Sequence, residues 1–137
     1  MFLPQEIQAA GAIYSTVNDL LKYLSTNIEL IDTKLQDAMQ ESHLIRHPFA
    51  EIQPTFEDLS GYNSTGHEYI GSSWLIGTDL GRQVVWHNGG IDGYSSLIGF
   101  NPAKQIGLVI LCSCYSTDVP PIEMIDTAMI FLLYYRD

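Results

Sequence analysis

The residues best suited to chemistry lie in one stretch, Trp86-His87-Asn88-Gly89-Gly90-Ile91-Asp92-Gly93-Tyr94. An apolar run, Val84 to Trp86, leads into a polar pair, then three glycines within five residues, then Tyr94-Ser95-Ser96. Glycine has no Cβ, so another molecule can approach the main chain closely, and the backbone reaches angles other residues resist. A strand ending this way offers an imidazole, an amide and bare N–H groups along one edge. Such a set can move a proton and hold a developing negative charge. On spacing alone, the same residues also fit a hairpin whose tight turn needs glycine.

Other candidates carry less. His43 and His47 are four apart, with Glu41 and Glu51 nearby, but they lack a His-Glu-x-x-His pattern or a further ligand. They read as an exposed helix end, and no metal site is expected. His67-Glu68 has no evident partner. Ser15 and Thr16 are helix caps; no Gly-x-Ser-x-Gly elbow occurs, and Ser95 and Ser96 read as strand residues. Asp92 and Tyr94 border the glycine turn, where Asp-Gly is ordinary turn chemistry. Cys112 and Cys114 are two apart in a strand-like run, poorly placed to bridge each other, and read as small buried hydrophobes.

The elements that must position the stretch follow from periodicity. Thr16 with Asp19 resembles a capping box, and Val17, Leu20, Leu21 and Leu24 follow at helical spacing, predicting a helix from about Thr16 to Asn27. A second helix is expected from Asp32 or Thr33, with Leu35, Ala38, Met39 and Ser42 on one side, ending before Pro48. Residues 47–68 show no sustained period and read as a long irregular connection suited to binding or covering. Four strands are then expected: Tyr69 to Ile76, Gln83 to His87, Ser95 to Phe100 and Ile106 to Cys112. The turns between them fall at Thr78-Asp79-Leu80-Gly81 and Asn101-Pro102-Ala103-Lys104-Gln105. The last strand is apolar without alternation, so it should be covered on both faces. Pro120 and Pro121 open a final helix to about Tyr135 that is apolar nearly all round. It is too short for a membrane span, and Asp126 interrupts it. The fold class is therefore α+β, an antiparallel four-stranded meander packed with N-terminal helices and a C-terminal helix.

At 137 residues, with 46% hydrophobic and 11% aromatic residues, the chain is long enough for one core and too apolar for disorder. Six basic against sixteen acidic residues give a formal charge of −10, which opposes nucleic acid and anionic membranes as partners. Met1-Phe2-Leu3-Pro4 lacks the basic start and apolar core of a signal peptide.

Taken together, these motifs carry a family likeness. Gly11-Ala12-Ile13-Tyr14-Ser15-Thr16-Val17-Asn18-Asp19-Leu20 resembles the Gly-Gly-Leu-x-Ser-Thr-x-x-Asp-Leu stretch of class C β-lactamase-like serine hydrolases and related penicillin-binding proteins. Ser73-Trp74 resembles the Gly-Trp of their next strand. His87-Asn88-Gly89-Gly90-Ile91-Asp92-Gly93-Tyr94-Ser95-Ser96 is similar to their His-x-Gly-Gly-x-x-Gly-Phe-x-Ser signature, and Phe100-Asn101-Pro102 with Ile106 to Leu111 matches the hairpin that follows. The likeness runs from about Gly11 onward and covers the family's last segment. It implies that His87 takes the Lys/His position of the third active-site motif, Asn88 the middle position and Gly89 the glycine. The N–H of Gly90 would be one oxyanion donor, and the nucleophile's own N–H the other. His87 would orient the substrate or share a proton with the family's tyrosine.

The departure from the family is as informative. None of Lys22, Lys34 and Lys104 has a serine three residues before it, and no tyrosine precedes an Asn or Ser by two in a suitable context. The expectation is a single partial domain, residues 1–137, unable to acylate alone. The parent would hydrolyse a β-lactam, a D-amino-acid peptide or a small ester through an acyl-enzyme, without a cofactor, and would work outside the cytoplasm. The partner would be the missing N-terminal part of the catalytic domain or a second copy of the chain, and the substrate small or peptidoglycan-like. The rival expectation is a non-catalytic binding or self-assembly module derived from the same fold.

Overall fold

The computed structural model describes residues 11, 13–48, 67–91, 93–113 and 122–135. Helix α1 is Val17–Asn27. Thr16 is its cap: the hydroxyl accepts from the Asp19 N–H at 3.2 Å and donates to the Asp19 carboxylate at 2.9 Å, while Lys22 reaches that carboxylate at 3.0 Å. The hydrogen bond from Lys22, then that from Thr16, holds the Asp19 carboxyl below its ordinary pKa. One face of α1 buries Leu24, and Ile28 follows just beyond its end.

Helix α2, Gln36–Ser42, is shorter than its periodicity predicts. The Thr33 hydroxyl accepts from the Leu35 N–H at 3.3 Å, so residues 33–35 form a turn before the helix, and Leu35 is left exposed.

Six antiparallel strands follow one another across a single sheet: β1 His47–Pro48, β2 His67–Ile70, β3 Leu75–Asp79, β4 Arg82–Ile91, β5 Tyr94–Asn101 and β6 Ile106–Cys112. The meander is as expected, but the count of four is corrected to six. The predicted strand from Tyr69 to Ile76 is two strands, β2 and β3, because Gly71-Ser72-Ser73 reverses the chain with Ser73 at φ 69°. Most of the long connection, residues 49–66, lies outside the described residues, although its first residues pair as β1. The turn between β3 and β4 is the two-residue Leu80–Gly81, both at positive φ (49° and 79°), the geometry that matches strand twist.

Helix α3, Ile122–Tyr134, covers one face of the sheet, with Ala128, Met129 and Leu132 against Val84, Trp86 and Leu97. Helix α1 covers the other, with Leu24 and Ile28 against Trp74, Val85 and Phe100. Strand β6 is half-covered on each side, which is why its sequence does not alternate. Gly107 lets α1 approach closely: a Cβ there would stand 2.0 Å from Leu24 Cδ2. Cys112 is half-buried and disulfide-bonded, which corrects its reading as a small buried hydrophobe; Cys114 and the prolines before α3 lie outside the described residues.

Candidate active site

Strand β4 is longer than its neighbour β3, and this offset creates the site. Pairing between them starts at Leu75↔Trp86 and ends at Asp79↔Arg82, so β3 leaves residues 87–91 uncovered on that side. On its other side β4 stays paired with β5 through Ile91↔Tyr94. In a two-residue hairpin the closing pair exchanges both backbone hydrogen bonds, and such pairs recur at every second residue. Ile91, Gly89 and His87 therefore bond to Tyr94, Ser96 and Ile98. The backbone groups of Asn88 and Gly90 turn the opposite way, to the open edge. Among the described residues no strand pairs with that edge.

Strand alternation sorts the side chains. Val85 belongs to the α1-side core and Trp86 to the α3-side core. His87 and Gly89 therefore share the α1 side, and Asn88 and Gly90 the α3 side. His87, Gly89 and Gly90 are exposed and Asn88 is half-buried. His87 Nδ1 lies 2.6 Å from the Asn88 carbonyl oxygen. A carbonyl only accepts, so Nδ1 carries the hydrogen, and in the neutral ring Nε2 holds the lone pair. The ring is thereby oriented as a base or acceptor at Nε2. The Ser96 hydroxyl lies 3.5 Å from the Gly89 carbonyl, across the strand pair.

Beside His87 the surface sinks into an open depression of about 310 Å³. Its apolar lining is Tyr23 of α1, Trp74 and Ile98 of β5; Ser42, Ser72 and Ser73 supply hydroxyls. Trp74 is held from behind by edge-on contacts with His43 (5.9 Å) and Phe100 (5.4 Å). His43 is buried, and its Nε2 donates to Asn27 Oδ1 at 2.9 Å. Burial lowers the pKa of His43, because a charged ring would lose its water.

The structure thus brings His87, Asn88, Gly89 and Gly90 to one sheet edge. It does not bring His43 and His47 together: the first is a core residue, not an exposed helix end, and the second is exposed on β1. No group of three metal-ligating side chains occurs among the described residues. Glu68, half-buried on β2, has its carboxyl pKa raised by burial. Sequence reading missed Tyr23 and Ile98, whose spacing marks only a helix and a strand. Ser73 had a signal: it stands where the related motif has glycine, and it adopts the left-handed angle that glycine favours.

An antiparallel sheet with helices on both faces, and a glycine-rich strand end projecting beyond its neighbour, define the class. Residues 2–128 match the Beta-lactamase family, and the chain belongs to that family. Among solved structures it is similar to the octameric penicillin-binding protein homologue from Pyrococcus abyssi, at 26% identity and a TM-score of 0.64. That likeness covers 87% of this chain but 24% of that one, so this chain spans about a quarter of its relative's length. No curated protein sequence matches the chain.

Proposed function

We propose that this chain is the C-terminal segment of a class C-like serine hydrolase, and that it supplies one wall and part of the oxyanion hole of an acyl-transfer site. The reading rests on one observation above others: the backbone of Asn88 and Gly90 is left unpaired by β3 on a strand otherwise fixed in the sheet. An oxyanion needs donors that do not have to reorganise, and a strand-held N–H meets that need. In this reading Gly90 donates one hydrogen bond to the developing oxyanion. His87, its Nδ1 tied to Asn88, offers Nε2 to the substrate or to a shared proton. Asn88 and Gly89 line the bound substrate: a β-lactam, a D-amino-acid peptide or a small ester. The nucleophile and its base belong to a Ser-x-x-Lys element that residues 1–137 lack. Incubation of this chain with a fluorescent penicillin, followed by intact mass, should give no covalent adduct. A stable adduct on any of its serines would overturn the assignment.

A second reading, a non-catalytic binding or self-assembly module, is favoured by exposed apolar surface. Strand β6 is an edge of the described sheet, and Ile91, Leu111, Ile130 and Phe131 are each about two-fifths exposed. The Pyrococcus relative is octameric. In either reading the chain associates, with the remaining part of a catalytic domain or with a second copy of itself.

A further inference from the structure

We propose that the depression beside His87 is a subsite for an uncharged, flat apolar substituent, such as a phenyl ring, and that it disfavours a carboxylate in the same place. As a substrate subsite this rests on the acyl-transfer reading above; as a binding site it stands on the walls. Trp74 is 8% exposed, clamped at 79° to His43 and 86° to Phe100, and His43 is itself tied to Asn27. That wall is preformed, so a ligand does not have to order it. Ile98 is the cross-strand partner of His87, so an apolar floor adjoins the imidazole, and Tyr23 adds a half-exposed ring. A volume of about 310 Å³ accommodates a single ring with a short polar arm.

The charge pattern decides the chemistry. Among the described residues no Lys, Arg, Asp or Glu lines the depression, and its one imidazole is that of His87. The cations nearest in sequence are engaged elsewhere, Lys22 with Asp19 and Arg46 with Glu41. A carboxylate placed here would lose water and meet no Lys or Arg among the described residues, only the His87 imidazole, in a chain of formal charge −10. The Ser42 hydroxyl already donates to the Met39 carbonyl at 2.7 Å. The exposed Ser72 and Ser73 remain at the rim for an amide or ester of the ligand.

The test is amide and indole chemical-shift titration of the isotope-labelled chain with phenylacetamide and with its 4-carboxy derivative. Phenylacetamide should move the Trp74 indole N–H and the amides of Ser72, Ser73 and Ile98, and the carboxylate should bind about tenfold more weakly. Ser72→Lys, at an exposed position that does not threaten folding, should shift the preference about tenfold toward the carboxylate. Ile98→Ala should weaken the neutral probe about fivefold. Shifts confined to other regions, equal affinity for the two probes, or a preference unmoved in Ser72→Lys would overturn the proposal. The two readings fail separately. Groove shifts in this chain, with no acylation of an assembly that joins it to a Ser-x-x-Lys element, uphold the binding site and remove the hydrolase, whereas acylation of that assembly with silent groove resonances does the reverse.

Discussion

Replacing Gly107 by alanine probes how closely α1 is set onto the sheet. The added methyl would lie 2.0 Å from Leu24 Cδ2, 2.9 Å from Cδ1 and 3.0 Å from Cγ. Three atoms of one side chain are involved, so a simple rotation of the Leu24 tip does not clear the clash. Leu24 is 3% exposed, packed among Ile28, Trp74, Val85 and Phe100, and has little room to withdraw. Overpacking of this kind costs about 1–3 kcal/mol. With ~2.1 cal/mol/K of unfolding entropy per residue, a chain of 137 residues loses about 3.5 °C for each kcal/mol, so Tm should fall by about 4–10 °C. Gly77→Ala is the internal control, since a Cβ there meets nothing within 4 Å and Tm should stay within about 2 °C. Leu24→Ala alone should cost about 2–5 kcal/mol by opening a cavity. In the double variant the new methyl fills part of that cavity, so the double cost should fall short of the sum by at least about 1 kcal/mol. Thermal and urea unfolding of the four proteins measures the cycle. A Gly107→Ala variant as stable as the parent, or strictly additive costs, would refute the packing of α1 on β6.

His43 makes stability pH-dependent. Its pKa is lowered from 6.5 by burial, so the unfolded chain binds more protons in the window below 6.5. Stability is full above that value and declines as pH falls through the depressed folded pKa; urea titrations of His43→Gln should show a flatter slope over roughly pH 5 to 6.5. Glu68 acts in the opposite sense: its pKa is raised from 4.5, so its contribution is full below that value and is lost as pH rises through the folded pKa. Relieving Ser73 of φ 69° with Ser73→Gly should stabilise by about 0.5 kcal/mol, left-handed strain gained less glycine's added unfolded-state entropy. A loss beyond 1 kcal/mol would show that the Ser73 side chain has a contact that matters more. Sedimentation at rising concentration should reveal self-association of the isolated chain, and a clean monomer at high concentration would count against the exposed apolar surfaces as contact faces.

Much of the fold was legible because local signals and tertiary demands agree. The Thr16 cap, the α1 stripe and the unalternating β6 all point to what the sheet requires of them. Leu80–Gly81 fell inside the predicted turn, but the strand runs on through Asp79. The β2–β3 break was missed because Tyr69-Ile70 and Trp74-Leu75-Ile76 read as one apolar run, and the reversal depends on a serine in a glycine's conformation. The same limit applies at the site. His87 to Gly90 could be singled out from residue type and spacing. What makes that stretch an edge is the length of β3, and strand length relative to a neighbour is a property of pairing that no local pattern carries. His43 was misread for a related reason. A histidine near a helix end looks exposed until Asn27, sixteen residues earlier, is brought to meet it.

The most direct measurement concerns the Gly90 N–H. It is acylation by a fluorescent penicillin of the assembly that joins this chain to a Ser-x-x-Lys element, with Gly90→Pro compared against Gly90→Ala and the adduct mapped by tandem mass spectrometry. Gly90 lies outside the left-handed region, so alanine keeps both backbone and donor, whereas proline removes the donor. The expected result is an adduct on a serine outside residues 1–137, near-parental acylation in Gly90→Ala and a loss of about 10²–10³ in rate in Gly90→Pro. An adduct on Ser95 or Ser96, or equal acylation in the proline and alanine variants, would contradict it.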